Sequence, residues 1–157
     1  SKECSEELGI DIEIAESIDD LMSESDIVVT TTPSQTPLIS ASQLRPGQHI
    51  TAMGTDADYK TELAPDTIPA ADLYVCDSLA QCRKQGELRP SIKAGLIDGN
   101  AVFPELGAII AGRHTGRQSD QSITICDLTG TGVQDTAIAT FTRELATKTG
   151  VGTVFNS

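Results

Sequence analysis

Ile27-Val28-Val29-Thr30-Thr31 and His49-Ile50-Thr51-Ala52-Met53, with the turn pair Pro46-Gly47 feeding the second run, decide the fold. Both runs are short, continuous and rich in β-branched residues, the pattern of parallel strands buried on both faces. Leu73-Tyr74-Val75-Cys76 and Ile123-Thr124-Ile125-Cys126 read the same way. Ile10-Asp11-Ile12-Glu13-Ile14 alternates with period two and reads as a strand with one buried face. The expectation is therefore five strands.

Helical signals fill the gaps. Ser17 with Asp20, and Ser78 with Gln81, have the spacing of helix caps, and Gly86 supplies a stop after the second. Pro104 and Glu105 suit a first turn, Leu106, Ile109 and Ile110 form an apolar stripe, and Gly112 ends it. Val133, Ala137, Phe141 and Leu145 recur every four residues behind a Thr131/Gln134 capping box. Strand and helix alternating in this way predict an α/β fold, a doubly wound and mainly parallel sheet over residues 9 to 127. The domain reading is a partial Rossmann-type domain over residues 1–130, with a helix and tail over 131–157 packing back on it.

The composition narrows the function classes. The 157 residues carry 11 basic and 23 acidic side chains, a net charge of −12, which argues against a nucleic-acid backbone as partner. Aromatics make up 3% of the chain with no Trp, so stacking platforms for single strands are absent and the core falls to Val, Ile, Leu and Ala. Apolar runs reach only about five residues against the roughly 20 that cross a bilayer, so no membrane partner is expected. Cys4, Cys76, Cys82 and Cys126 lack C-x-x-C spacing, and a reducing, cytoplasmic compartment is the reading they favour.

In a parallel sheet of this type ligands collect at the carboxyl ends of the strands. Three polar segments follow the strands there: Thr30–Ser34, Met53–Lys60 and Asp127–Gly132. Each alone reads as an ordinary loop whose hydroxyls satisfy backbone groups. Three at one sheet edge read as a site. Gly130-Thr131-Gly132-Val133-Gln134-Asp135 follows a strand and opens a helix, but Asp135 stands where a dinucleotide fingerprint needs its third glycine. That helix start retains only a general attraction for anions. Asp56-x-Asp58 begins like a calcium loop, yet Lys60 occupies the next ligand position and the turn glycine is missing, so no metal is expected. His49 and His114 have no nucleophile motif nearby and read as structural or solvated.

Asp26 to Ser34, Leu44 to Ala57, Lys60-Thr61-Glu62-Leu63 and Gly116-Arg117-Gln118-Ser119-Asp120 together resemble the second half of the ornithine cyclodeaminase/mu-crystallin family. Within it, Thr129 to Asp135 and Met53-Gly54-Thr55-Asp56 look most like the ectoine-utilisation branch. The resemblance implies an NAD-binding Rossmann domain, with NADP the alternative, amino-acid chemistry and a homodimer for the full-length protein. Carried over by position, it implies that Thr32, Met53, Gly54, Thr55, Lys60 and Leu128 contact the cofactor, that Asp56 is the catalytic carboxylate and touches substrate, and that Thr129 touches substrate. Leu128 departs from the serine of ornithine cyclodeaminase. The family's glycine-rich βαβ unit is not found in these residues, so the chain reads as a carboxy-terminal portion. The activity implied is a cyclodeaminase acting on a small diamino acid, ornithine-like or ectoine-derived, releasing ammonia with hydride borrowed and returned. An imine reductase or amino-acid dehydrogenase on the same scaffold, and a non-catalytic crystallin-like binder, are the alternatives.

Overall fold

A computed structural model describes residues 2–153. Four strands, β1 (Ile27–Thr30), β2 (His49–Ala52), β3 (Leu73–Cys76) and β4 (Thr124–Asp127), form one sheet in the order β1-β2-β4-β3. Every neighbouring pair is parallel. The register stacks Val28, Ile50, Ile125 and Tyr74 in one row and Thr30, Ala52, Asp127 and Cys76 in the row nearest the carboxyl edge. All eight are buried. Because successive side chains alternate between faces, these two rows share the face on which the core is built.

The core is completed from helices and turns. Met22 comes from α2 (Ile18–Glu24), Cys82 from α3 (Leu79–Cys82) and Leu88 from α4 (Leu88–Lys93), with Ile39, Leu63 and Ile68 supplied by connecting segments. Phe103 meets Tyr74 edge to face, with ring centroids 5.0 Å apart. On the opposite face α5 (Leu106–Ile110) borders an open groove of about 440 Å³ floored by Thr51, Val75 and Cys126. There Ile27 and Val29 remain exposed, so the two faces of the sheet are unequally covered.

Ser17 caps α2 through its hydroxyl, which accepts from Asp20 N at 3.1 Å, as its spacing predicts. Ser78 takes the cap position of α3 but its hydroxyl makes no capping bond, and Gln81 reaches Gly130 O instead. The turn at Pro46-Gly47 closes through Gln48 N to Arg45 O, with Gly47 at φ +85°. Among the described residues no helix is long and apolar enough to cross a membrane.

Two expectations are corrected and one element was not foreseen. Residues 10–14 form no strand: Ile10, Ile12 and Ile14 are exposed and unpaired, because alternation defines a face but a ladder partner must come from elsewhere in the chain. A helix, α1 (Lys2–Leu8), precedes them, which no apolar periodicity announced. The last helix, α6 (Gly132–Thr149), has its Thr131/Gln134 box and Gly150 in the left-handed conformation, yet buries none of its residues. Phe141 is 61% exposed, so the apolar stripe of α6 does not pack back on the sheet. Residues 154–157 of the expected tail lie outside the described residues.

Candidate functional site

The three polar segments lie at the same edge of the sheet, since all four strands point the same way. They are also tied together. Met53 N donates to Thr30 O at 2.9 Å and Leu128 N donates to Ala52 O at 2.8 Å, carrying the ladder one residue beyond the strands. Beneath the loops lie four carboxylates that sequence reasoning did not assign: Glu62, Asp77, Glu87 and Asp127.

Glu62 accepts from Thr30 Oγ1 at 2.6 Å, from Thr32 N at 2.5 Å and from Gly54 N at 2.9 Å. Glu87 accepts from the Thr55 hydroxyl, from Glu62 N at 2.7 Å, from Leu63 N at 3.1 Å and from Thr61 Oγ1 at 3.2 Å. Asp127 Oδ2 accepts from Tyr74 Oη at 2.6 Å and from Glu87 N at 2.8 Å. Asp77 accepts from Thr129 N at 2.8 Å and Gly130 N at 3.0 Å, and takes the Thr129 hydroxyl as well. Buried carboxylates are tolerable only when donors surround them; here loop backbones and hydroxyls supply those donors, and Asp127 Oδ1 alone among these oxygens accepts none.

Two glycines follow from this crowding. A Cβ at Gly54 would lie 2.3 Å from both Glu62 Oε1 and Thr32 O, and one at Gly86 would lie 2.6 Å from Asp127 Oδ2. Neither position has room for a side chain.

The residues expected at the site divide into three groups. Thr32, Gly54 and Thr55 come together, and their inward donors, the Thr32 and Gly54 amides and the Thr55 hydroxyl, are held from below by Glu62 and Glu87. Met53 and Asp56 face outward, Met53 48% exposed, and the half-buried Lys60 donates from Nζ to Asp56 Oδ1 at 2.6 Å. That bond, above all, holds the Asp56 carboxyl below its ordinary range. Lys60, expected at a cofactor, is thus paired with the expected catalytic residue. Thr129 is buried with its hydroxyl on Asp77, and Leu128 turns toward the groove on the opposite face. His49 stands between two hydroxyls, Thr124 Oγ1 at 2.7 Å and Thr51 Oγ1 at 3.1 Å, and burial lowers its pKa.

The missed carboxylates carried little sequence signal. Asp127 ends a run of apolar strand residues, and Glu87 sits between Gly86 and Leu88 with no motif around it. Most of their partners lie tens of residues away, so only the fold brings them into contact.

Burial raises the Asp127 carboxyl to about 7; the Tyr74 hydrogen bond pulls it down and the Glu87 charge pushes it up. Burial also raises Glu87. A carboxyl raised on folding binds its proton more tightly in the folded chain, so its contribution to stability is present at low pH and lost as pH rises. For Asp127 the window runs from about 4 to about 7, at a slope of at most about 1.4 kcal/mol per pH unit. Asp127→Asn keeps an oxygen for Tyr74 and Glu87 N, and is expected to flatten that decline. Urea unfolding midpoints of both proteins at several pH values between 4.5 and 8 check this; parallel curves would refute it.

The sequence profile of the ornithine cyclodeaminase/mu-crystallin family matches residues 1–150. An uncharacterized cyclodeaminase of Sinorhizobium fredii is 56% identical over 136 residues, which is 87% of this chain and 41% of that protein. The chain thus spans less than half the length of that relative. The iminosuccinate reductase of Paracoccus denitrificans, solved with NAD+, superposes with a TM-score of 0.87 at 38% identity, covering 99% of this chain and 47% of that one. The Thermococcus litoralis Delta(1)-pyrroline-2-carboxylate reductase, solved with NADH and L-proline, superposes at 0.89 with 30% identity over 98% of this chain and 48% of its own. On the sheet, the loops and these likenesses together, the chain belongs to the ornithine cyclodeaminase/mu-crystallin family.

Proposed function

We propose that the full-length protein is an NAD-dependent enzyme working at the α-carbon–nitrogen bond of a small amino acid, and that it is a cyclodeaminase of an ornithine-like or ectoine-derived diamino acid. The observation that carries the site is the shared edge of the parallel sheet, where the loop after β2, clamped to its neighbours, presents Met53 and Asp56 outward with Lys60 paired to Asp56. The 56% identical cyclodeaminase supports the specific activity.

The residues present fit a nicotinamide cofactor. The loop backbones are held by buried carboxylates, and Met53 offers an exposed apolar surface beside them. Thr32, Met53, Gly54 and Thr55 would hold the cofactor, with Leu128 and Lys60 at its margins. When bound, NAD supplies a hydride acceptor that can return the hydride to a carbon–nitrogen double bond. Asp56, kept ionised by Lys60, takes the proton from the attacking side-chain amine, which must be deprotonated to act as a nucleophile. Thr129 borders the substrate through its backbone, its hydroxyl being committed to Asp77. Homodimerisation belongs to the same reading, and the uncovered apolar stripe of α6 supports it.

The two reductase structures favour a second reading, reduction of a cyclic or open-chain imino acid on the same scaffold. One measurement separates the two. A cyclodeaminase releases ammonia from a diamino acid with no net change in reduced-cofactor absorbance; a reductase consumes NADH in step with the imino acid. Stoichiometric NADH loss without ammonia release from any diamino acid would replace the first reading by the second.

A further inference from the structure

Glu62, Glu87 and Asp127 lie in a row beneath the site edge, each almost fully buried, and among the described residues none of the three has an ion-pair partner. Each holds the backbone of the next. Asp127 accepts from Glu87 N, Glu87 accepts from Glu62 N and Leu63 N, and Glu62 accepts from Thr32 N and Gly54 N. The row therefore runs from the end of β4 to the loops after β1 and β2. A fold seeking only stability has little reason for it: a buried carboxylate without a cationic partner is costly, and apolar replacement of buried charged groups is often neutral or favourable. What an apolar side chain does not supply is one acceptor that fixes two loop backbones at a set separation.

We infer that Glu62 is a positioning residue for the cofactor pocket, its carboxylate setting the separation of the Thr32 and Gly54 backbones while Glu87 and Asp127 hold Glu62 in place. The inference rests on the reading of Thr32 and Gly54 as cofactor contacts. Gln at this position has the same shape but one acceptor oxygen. Its amide nitrogen would face either the Thr32 or the Gly54 amide, donor against donor, so one loop must leave. Thr30→Val removes a single donor to the carboxylate and keeps the β-branched shape that the strand favours.

The test uses the full-length protein, with NADH as probe. Dissociation constants from NADH fluorescence, cofactor KM, kcat and thermal midpoints are measured for the wild type, Glu62→Gln, Thr30→Val and Met22→Ala. Met22→Ala truncates a buried side chain of α2 and serves as the stability control. Glu62→Gln is expected to weaken NADH binding tenfold or more and to raise cofactor KM, with kcat at saturating cofactor within a few-fold. Thr30→Val is expected to weaken binding about threefold, and Met22→Ala to lower the midpoint with binding unchanged. In spectra of the wild type the Thr32 and Gly54 amide protons are expected to resonate downfield, and in Glu62→Gln at least one is expected to move back.

Glu62→Gln binding within twofold of the wild type overturns the inference, as does an affinity loss that Met22→Ala reproduces at the same midpoint. If Glu62→Gln does not fold, Thr30→Val decides, and unchanged binding there overturns the inference. Absence of NADH binding by the wild type overturns the proposed function and this inference with it, so the two failures are told apart by the first titration.

Discussion

Asp56→Asn in the full-length enzyme is expected to lower kcat by about 10²–10⁴-fold with cofactor affinity nearly unchanged, the usual cost of losing a general base. Asp56 is well placed to show a clean effect. Its side chain is 57% exposed on the loop after β2, and Lys60 holds it ionised. The amide keeps the shape and an oxygen for Lys60 Nζ, but accepts no proton at neutral pH. Loss of the ion pair itself adds little, because exposed pairs contribute little to stability. If Asp56 served only to tether Lys60, Asn would do so nearly as well and the rate would hold. Asp58→Asn, two residues along the same exposed loop, is the matched control and should stay within a few-fold of the wild type. Steady-state kinetics on both variants decide the matter: a near-normal Asp56→Asn, or a dead Asp58→Asn, removes the assignment.

Gly54→Ala carries the largest expected effect on stability. The new methyl would fall 2.3 Å from the Thr32 carbonyl oxygen and 2.4 Å from Glu62 Cδ, distances no relaxed contact reaches. One obstacle is backbone and the other is a carboxylate already fixed by three donors, so neither yields cheaply. Overpacking of this severity costs about 3 kcal/mol, which for a chain of this length lowers the thermal midpoint by about 6–12 °C. The same displacement parts Thr32 from Gly54, so NADH binding should weaken as well. Gly107→Ala is the comparison. It lies in α5 with nothing within 4 Å of the added carbon, and alanine is the better helix former by about 1 kcal/mol. Its midpoint should hold or rise. Calorimetric scans that place Gly54→Ala within a degree or two of the wild type would show that the loops are free to separate.

Much of the fold was legible because its signals are local. The strands at residues 27, 49, 73 and 124 announce themselves through β-branched runs, and the start of α6 through Thr131 and Gln134. The run at residues 10–14 misled because alternation reports only that one face is apolar. Whether a strand exists there depends on a hydrogen-bonded neighbour, and the described residues supply none. The stripe of α6 misled in the same way: period shows that a helix has an apolar side, while the surface that covers it is a separate fact.

The sequence by itself determined that an acidic, aromatic-poor α/β chain ends its strands in three polar segments, and that Met53, Asp56 and Lys60 lie in one of them. Parallel strands then oblige those segments to share an edge, so the location of the site followed from local pattern. The tertiary structure alone decided what holds that edge. Thr32 and Glu62 are 30 residues apart, Glu62 and Glu87 are 25 apart, and Glu87 and Asp127 are 40 apart. A buried carboxylate is chosen by the donors that fold around it. Donors that distant leave no trace in the residues beside it.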